Sequence, residues 1–191
     1  MNASSDRSRF DVVADVIRTR RTSMQVAPDR DVDDSILDEL FELAAWAPCH
    51  KRTWPWRFCV VRGDARLELG GVVASAMERH GDEPQRIEKA RTKYARTPVV
   101  VVMASAPGDT GNRTAENRDA TAAAVQNFLL AANARGIATY WGSCPQGAND
   151  DVAAFCGFES GSTILSLTYV GWAADSAVAP ERPSPFVTRR G

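Results

Sequence analysis

The first third of the chain carries hydrophobic residues in two patterns, one with the period of a helix and one typical of a strand. Helical spacing predicts an amphipathic helix to about Arg18 and a second helix that Asp33 or Asp34 caps and Pro48 stops. A third helical stripe covers residues 69–77. Between the second and third helices, residues 58–61 are β-branched and aromatic, and they predict a short strand.

The remaining two thirds alternate apolar runs with longer helical stretches. Residues 99–103 lack polar alternation, which indicates a strand buried on both faces. A long Ala-rich helix over about 114–134 follows, then a strand at 138–141, a short helix at 149–155 and a strand at 163–170 that Gly171 ends. The charged segment 81–96 is interpreted as a solvated helix or a mobile cover. The proline-rich end, from about residue 175, predicts an extended arm.

Size and composition fit one globular domain of 191 residues with 44% hydrophobic content and a net charge of −1. The charges are interspersed, which argues against nucleic acid or a membrane surface as the partner. No apolar run has the ~20 residues of a membrane span. Four cysteines without Cys-x-x-Cys spacing, in a chain whose first residues do not form a secretion signal, predict a cytoplasmic protein with reduced thiols.

Residues 44–58 join the second helix to the first strand, and they combine flat rings with positive charge. Trp46, Trp54 and Trp56 share this stretch with the cationic run 50–52. A planar anionic ligand would suit such a loop, because rings stack on it and cations meet its charge. The alternative is that Trp54 and Trp56 are core anchors beside Pro55. The stretch alone favours neither interpretation.

The end of the first helix is rich in guanidinium groups and hydroxyls. Residues 18–23 read Arg-Thr-Arg-Arg-Thr-Ser. Arginine binds phosphate through a bidentate fork, and hydroxyls can complete the ligand shell. A simpler interpretation is the favourable interaction of cations with a helix C-terminus. Spacing alone slightly favours the simpler interpretation.

Several sources of catalytic chemistry are missing from the sequence. It has neither a Gly-x-Gly-x-x-Gly motif after a strand nor a phosphate-binding P-loop. The two histidines, His50 and His80, make a zinc site improbable, so we expect no metal. Neither Ser143 nor Cys49 lies in the context of a nucleophile. We therefore expect no catalytic residue, and an enzyme of this kind would take its chemistry from a cofactor.

Four ordered segments resemble the FMN-dependent nitroreductase family, and the similarity runs from about residue 11 to residue 188. The match is nearest to its short bacterial branch of NAD(P)H nitroreductases. The C-terminal Pro-Phe-Val-Thr at 185–188 looks like that branch as well. The segments that carry the resemblance are residues 17–22, residues 47–51 followed by 54–58, residues 141–143 and residues 169–171.

The resemblance implies an α+β fold with three α/β/α layers around a mixed, mainly antiparallel sheet. It implies an intertwined homodimer that holds non-covalent FMN at the subunit interface. Residues 10–191 would form a single domain with the C-terminal arm, after a disordered tail at 1–9. The implied activity is ping-pong hydride transfer from NADH or NADPH, through flavin N5, to a nitroaromatic, quinone or related small-molecule acceptor.

Site residues follow from the same resemblance, position by position. Arg20, Arg21 and Thr22 match residues that hold the phosphate and ribityl end of FMN. His50 matches a residue that reaches FMN from the partner subunit, and Trp46 lies near the flavin. Residues beside the flavin ring are matched by Trp141, Gly142 and Ser143. A segment linked with the nicotinamide nucleotide is matched by Ala132, Asn133, Ala134, Arg135, Gly136 and Ile137.

Two departures from the family pattern concern the acceptor. Trp46 stands where relatives often carry Arg, and Trp54 replaces the Gln that commonly precedes Pro-Trp. Both changes add flat apolar area near the expected flavin. A basic group such as Lys51 or Arg52 could stabilise the reduced ring. Alternatives to the nitroreductase activity are a flavin-binding or sequestering protein with little turnover, and a flavoenzyme of the same fold that acts on a non-nitro substrate.

Overall fold

A computed structural model describes residues 7–27, 29–175 and 178–191. Most of the tail expected to be disordered, residues 1–6, lies outside the described residues. Among the described helices, none combines the length and hydropathy that a bilayer-spanning segment needs. The elements in chain order are α1 Arg9–Thr19, α2 Asp34–Ala44, β1 Trp56–Arg62, α3 Ala65–His80, α4 Pro84–Lys93, β2 Val99–Ser105, α5 Gly111–Ala134, β3 Ile137–Gly142, α6 Asn149–Phe155 and β4 Thr163–Trp172.

The four strands form one sheet in the order β1-β2-β4-β3, and each neighbouring pair is antiparallel. Every residue of β2 is buried, which confirms the strand predicted from its unalternated valines. Strand β4 extends beyond its predicted end, because Gly171 pairs with Ala138 and the strand continues to Trp172. The described chain adds one parallel bridge, between Thr22 and Thr139, at the outer edge of β3. This isolated bridge is a parallel contact at the border of an antiparallel sheet, which fits the expected mainly antiparallel arrangement.

Helices cover both faces of the sheet, as the expected three layers require. Val100, Val102 and Ala104 of β2 join a core formed with α3, α4 and α6. The intervening residues of β2 face the other way, into a core formed with α2 and α5. The predicted apolar stripe of α2 is confirmed at Leu37 and Leu40, although the helix ends at Ala44, before Pro48.

Helix α4 lies within the charged segment 81–96, for which the sequence allowed two interpretations, a solvated helix or a mobile cover. It is a helix, followed by a short 3-10 turn at Tyr94–Arg96. Ala90 of the helix and Tyr94 of the turn are buried in the core that includes residues of α3 and the sheet. The two helices approach closely at Gly70. A Cβ at that position would lie 2.1 Å from the carbonyl oxygen of Arg91.

Apolar surface is exposed on α1 and on the C-terminal arm. Helix α1 buries none of its residues, and Phe10 is 75% exposed. Phe186 on the arm is 94% exposed. By contrast, the Ala-rich helix α5 buries Ala124, Val125 and Phe128 within this chain. Among the described residues, the exposed large apolar side chains thus lie on α1 and the arm and not on α5.

The paired glycines of α3 give a matched test of the α3–α4 contact. Gly70→Ala should lower the free energy of unfolding by about 1–3 kcal/mol, because the new methyl group collides with the backbone of α4. Gly71→Ala meets no atom within 4 Å and should raise it by roughly 0.5–1 kcal/mol through helix propensity. Urea unfolding of both variants measures the difference, and equal effects would contradict the close approach.

Candidate functional site

The arginine turn, residues 20–22, begins where α1 ends. Arg20 occupies the C-cap position, and its backbone N–H donates to the carbonyl of Val16 at 3.1 Å. Arg21 donates from Nη1 to the carbonyl oxygens of Arg18 and Arg20, at 2.5 and 2.8 Å. One edge of this guanidinium therefore donates hydrogen bonds to free carbonyl groups at the C-terminus of α1. This agrees with the interpretation that the cations interact favourably with the helix C-terminus.

The other edge of the Arg21 guanidinium is not satisfied. Its Nε atom is buried and has no hydrogen-bond partner among the described residues. A buried donor without an acceptor lowers the stability of the folded protein, and a charged donor lowers it more than a neutral one. The arginine turn thus combines a helix-capping contact with a free donor, so the two sequence interpretations of this segment are compatible.

A third arginine joins the turn from the far end of the chain. Burial lowers the pKa of the Arg20 guanidinium, and the positive charges of Arg182 and Arg21 lower it further. Arg182 lies on the C-terminal arm, which the sequence predicts to be extended. Three cations gathered in this way repel one another, and an anion such as phosphate would relieve that repulsion.

The segment after the arginine turn runs along the edge of the sheet. Thr22 bridges Thr139 of β3, and the backbone N–H of Ser23 donates to the Thr139 carbonyl at 3.0 Å. Met24 then reaches a cavity that Gly142 and Ser143 also line. The edge of β3 therefore connects the arginine turn with two of the three residues expected beside a flavin ring.

This cavity, which we call the tyrosine cavity, has a volume of about 340 Å³. Its walls are three tyrosines and four cationic side chains, in addition to the segment at Gly142 and Ser143. The tyrosines are Tyr94, Tyr140 and Tyr169, and the cations are Arg86, Lys89, Lys93 and Arg96. Sequence reasoning missed both sets, although the spacing of residues 86, 89 and 93 places them on one face of α4.

Gly142 ends β3 at a point where β4 and Tyr169 leave no room for a side chain. A Cβ at this position would lie 2.9 Å from the carbonyl oxygen of Leu167 and 3.2 Å from the ring of Tyr169. Tyr169 stacks on Tyr94 with ring centroids 5.8 Å apart and meets Tyr140 edge-on at 5.7 Å. Burial raises the pKa of Tyr169 to about 12, so its hydroxyl stays protonated at neutral pH.

The remaining residues expected near a flavin lie away from this cavity. Trp141 does not line it, and its indole donates to the carbonyl of Leu165 at 3.0 Å. Trp46 is 76% exposed and donates to Glu42 at 2.6 Å. His50 is exposed in the 3-10 turn His50–Arg52, beside a separate groove formed with α5. A single chain does not bring His50 and Ser143 into one pocket.

The loop that carries His50 holds an unusual backbone. Lys51, Arg52 and Trp54 have φ angles of 60°, 53° and 47°, a region that non-glycine residues avoid. Thr53 anchors this loop by donating to Asn117 at 2.7 Å. Backbone strain of this kind costs on the order of 1–3 kcal/mol per residue and is concentrated at functional sites. The geometry supports a binding role for the loop.

The stretch expected to contact nicotinamide lies at the end of α5 and the start of β3. Gly136 and Ile137 line a second cavity of about 440 Å³, together with Thr19 and Arg21. Asn133 also lines it, but its side-chain amide donates to Val16 and Thr19 at 3.2 and 3.0 Å. Ala132 is buried and Arg135 pairs with Glu39. Ala134 is exposed and ends α5.

Comparisons with known proteins agree with this architecture. YdjA of Escherichia coli K12, whose name assigns it provisionally to the NAD(P)H nitroreductases, is 25% identical over 91% of this chain and 97% of its own. A nitroreductase-like protein from Bacillus cereus has a crystal structure with a TM-score of 0.78 and 26% identity, covering 90% of this chain and 91% of its own.

A third similar protein has a crystal structure with a bound ligand. The FMN-dependent nitroreductase NfnB of Mycobacterium smegmatis, crystallised with NADPH, has a TM-score of 0.72 at 23% identity, covering 94% of this chain and 100% of its own. The model of the Nitroreductase family matches residues 17–172, which include the arginine turn, both ends of β3 and all four strands. This chain belongs to the Nitroreductase family.

Proposed function

We propose that this protein is an FMN-dependent oxidoreductase that uses NADH or NADPH to reduce a nitroaromatic, quinone or related acceptor. Its membership of the Nitroreductase family supports this chemistry. The similarity to YdjA supports a nicotinamide donor, and the similarity to NfnB supports FMN as the cofactor. The observation that carries the proposal is the arginine turn joined along β3 to the tyrosine cavity. Bound FMN would accept a hydride from the nicotinamide and pass two electrons to the acceptor.

The residues present fit the phosphate of FMN. Arg20, Arg21 and Arg182 supply three permanent positive charges, and the buried Nε of Arg21 offers an unused donor. Thr22 follows Arg21 in the sequence and has an exposed side chain with a hydroxyl group. Charge-assisted hydrogen bonds from guanidinium groups to a phosphate are stronger than neutral ones. The phosphate end of FMN is therefore assigned to the arginine turn and Arg182.

The flavin ring is assigned to Gly142 and Ser143, at the edge of the tyrosine cavity. A cation near the pyrimidine edge of the ring stabilises the negative charge of the reduced flavin. The sequence suggested Lys51 or Arg52 for this role. Both belong to the loop beside the separate groove, whereas Lys93 and Arg96 line the same cavity as Gly142 and Ser143. Lys93 and Arg96 are the better candidates within one chain.

No residue of the cavity is required as a nucleophile. Cys144 follows Ser143 directly, but burial raises the pKa of its thiol to about 11, so it is protonated at neutral pH. The hydroxyls of Tyr94 and Tyr169 are likewise held protonated, because burial raises their pKa values. The protein's contribution would be to bind, orient and shield the reacting rings, with protons supplied from water.

The proposed assembly is a homodimer. Phe10, Val13 and Ile17 expose more than half of their surface on α1, and Phe186 is nearly fully exposed on the arm. Covering such side chains is favourable by roughly 25 cal/mol per Å² of apolar area. Trp46 and His50 lie on the surface as well, where a second copy could bring them to a neighbouring flavin. The cytoplasmic localisation expected from the sequence is a separate point, and it stays a prediction.

The first test is the absorbance spectrum of the purified protein without oxygen. We expect a flavin spectrum, native or after addition of FMN, that NADH or NADPH bleaches and a nitroaromatic or quinone restores. A protein that binds FMN but is bleached by neither nicotinamide would support the flavin-sequestering alternative. A protein that refuses FMN at saturating concentration would overturn the proposal.

The second test removes one cation of the arginine turn. Arg20→Ala should weaken FMN binding by about 1.5–3 kcal/mol, the range for a hydrogen bond to a charged group. Flavin fluorescence quenching on titration measures the affinity. Arg79→Ala removes the same charge on α3, away from the turn and from the exposed surface of α1, and serves as the control. Equal affinities for the two variants would contradict the assignment.

The third test separates two roles for Asn133. Its amide holds the end of α1 through Val16 and Thr19, so Asn133→Ala should loosen the arginine turn and weaken FMN binding. Hydrogen exchange at residues 16–21 should become faster in this variant. If exchange is unchanged while the KM for the nicotinamide rises, Asn133 contacts the nicotinamide instead.

A further inference from the structure

One wall of the tyrosine cavity is positively charged over its whole length. Arg86, Lys89 and Lys93 follow one another along a single face of α4, and Arg96 extends the row beyond the helix. None of the described residues that line the cavity carries a carboxylate. Like charges in one row repel one another, and a cavity lined by a single sign of charge concentrates counter-ions.

The neighbouring carboxylates leave most of this charge uncompensated. Arg86 pairs with Asp82 at 2.8 Å. Within the described ranges, Lys89, Lys93 and Arg96 have no carboxylate oxygen within ion-pair distance. Burial lowers the pKa of the Lys93 ammonium group, and repulsion from Arg86, Lys89 and Arg96 adds to that effect. The fold thus maintains an excess of positive charge at a cost to its own stability.

A second feature indicates an aromatic ligand. Tyr94 and Tyr140 line the cavity, and Tyr140 is 38% exposed. The buried hydroxyl of Tyr94 has no hydrogen-bond partner among the described residues. The rings of Tyr94 and Tyr169 stack almost parallel, with 14° between their planes. Lys93 lies 4.9 Å above the centre of the Tyr94 ring, so charge and flat apolar surface meet at one place.

We propose that the α4 wall binds the anionic group of the oxidising substrate, so that the preferred acceptor is an aromatic carboxylate or phenolate. Lys89, which has no ion pair among the described residues, would bind the anion, with Arg86 beside it at the exposed end of the row. The exposed part of Tyr140 would contact the aromatic ring. This inference rests on the proposed function, because it assigns the substrate class of the same flavin site.

Two other anions fit the wall less well. The phosphate of FMN already has the arginine turn with Arg182. A nicotinamide dinucleotide carries its phosphates far from the reacting ring, and a cavity of about 340 Å³ would leave most of such a molecule outside. A single substituted aromatic ring suits this volume, and its charged substituent would neutralise the excess charge of α4.

The chemistry balances with the reactants of the proposed function. For 4-nitrobenzoate, the nitro group, NADPH and one proton from water give a nitroso group, water and NADP⁺. The hydride supplies both electrons, and one nitro oxygen leaves as water. The carboxylate is unchanged, so it can stay bound to the cations of α4 while the nitro group is reduced.

The experiment compares charged and neutral ligands of the same shape. Calorimetric titration of the protein, as purified and after loading with FMN, measures binding of benzoate and benzamide. We expect benzoate to bind about tenfold more tightly, and Lys89→Gln to remove most of that preference. Arg79→Gln serves as the control, because Arg79 lies on α3 and pairs with Asp151 outside the cavity. The control should keep the preference of the wild-type protein.

A turnover measurement separates this inference from the proposed function. The ratio of kcat/KM for 4-nitrobenzoate to that for 4-nitrobenzamide should exceed one and fall about tenfold in Lys89→Gln. An FMN enzyme that reduces both compounds equally would overturn the inference and leave the proposed function standing. Benzoate selectivity in a protein without flavin activity would overturn the proposed function, and the assignment of the bound anion as an acceptor would fall with it. If Lys89→Gln instead slows flavin reduction by NADPH with the ratio unchanged, the cations serve the donor and the inference is wrong.

Discussion

The antiparallel pairing of β2 with β4 is the constraint on which the rest of the structure depends. Both strands are buried almost throughout, so helices must cover both faces of the sheet. Polar groups that bind ligands cannot enter this centre without losing their hydrogen bonds to water. They are therefore found at the edge strand β3, which pairs with Thr22 on its outer side and ends at Gly142 beside the tyrosine cavity.

Positively charged side chains are concentrated near this edge, although they repel one another. Arg20, Arg21 and Arg182 form one group, and the cations of α4 form another. Neither group is needed for the hydrophobic cores, and each raises the free energy of the folded chain. The close approach of α4 to α3 at Gly70 fixes the second group in place, because a side chain at that position would push the helix outward. Charge retained at such a cost is typical of binding sites.

Much of the fold could be predicted from the sequence, because its elements have strong local signals. The valine run of β2 and the apolar stripe of α2 are examples. The site was less predictable, since it depends on contacts between distant segments. The residues around Arg182 in the sequence do not indicate that it lies beside Arg20. The charges of α4 were consistent with a solvent-exposed helix face. Positive φ angles at Lys51, Arg52 and Trp54 could not be predicted, because these residue types disfavour them.

The division of residues between the two helical layers explains why one chain holds only part of the expected flavin site. The side of α3, α4 and α6 forms the tyrosine cavity, whereas Trp46, His50 and the apolar residues of α1 are exposed outside it. Since His50 faces a separate groove beside α5, folding of a single chain does not bring it to Ser143. A second copy that covers the exposed surface of α1 and Phe186 would bury apolar area and supply those residues together. Burial of α1 and completion of the site would then be one event.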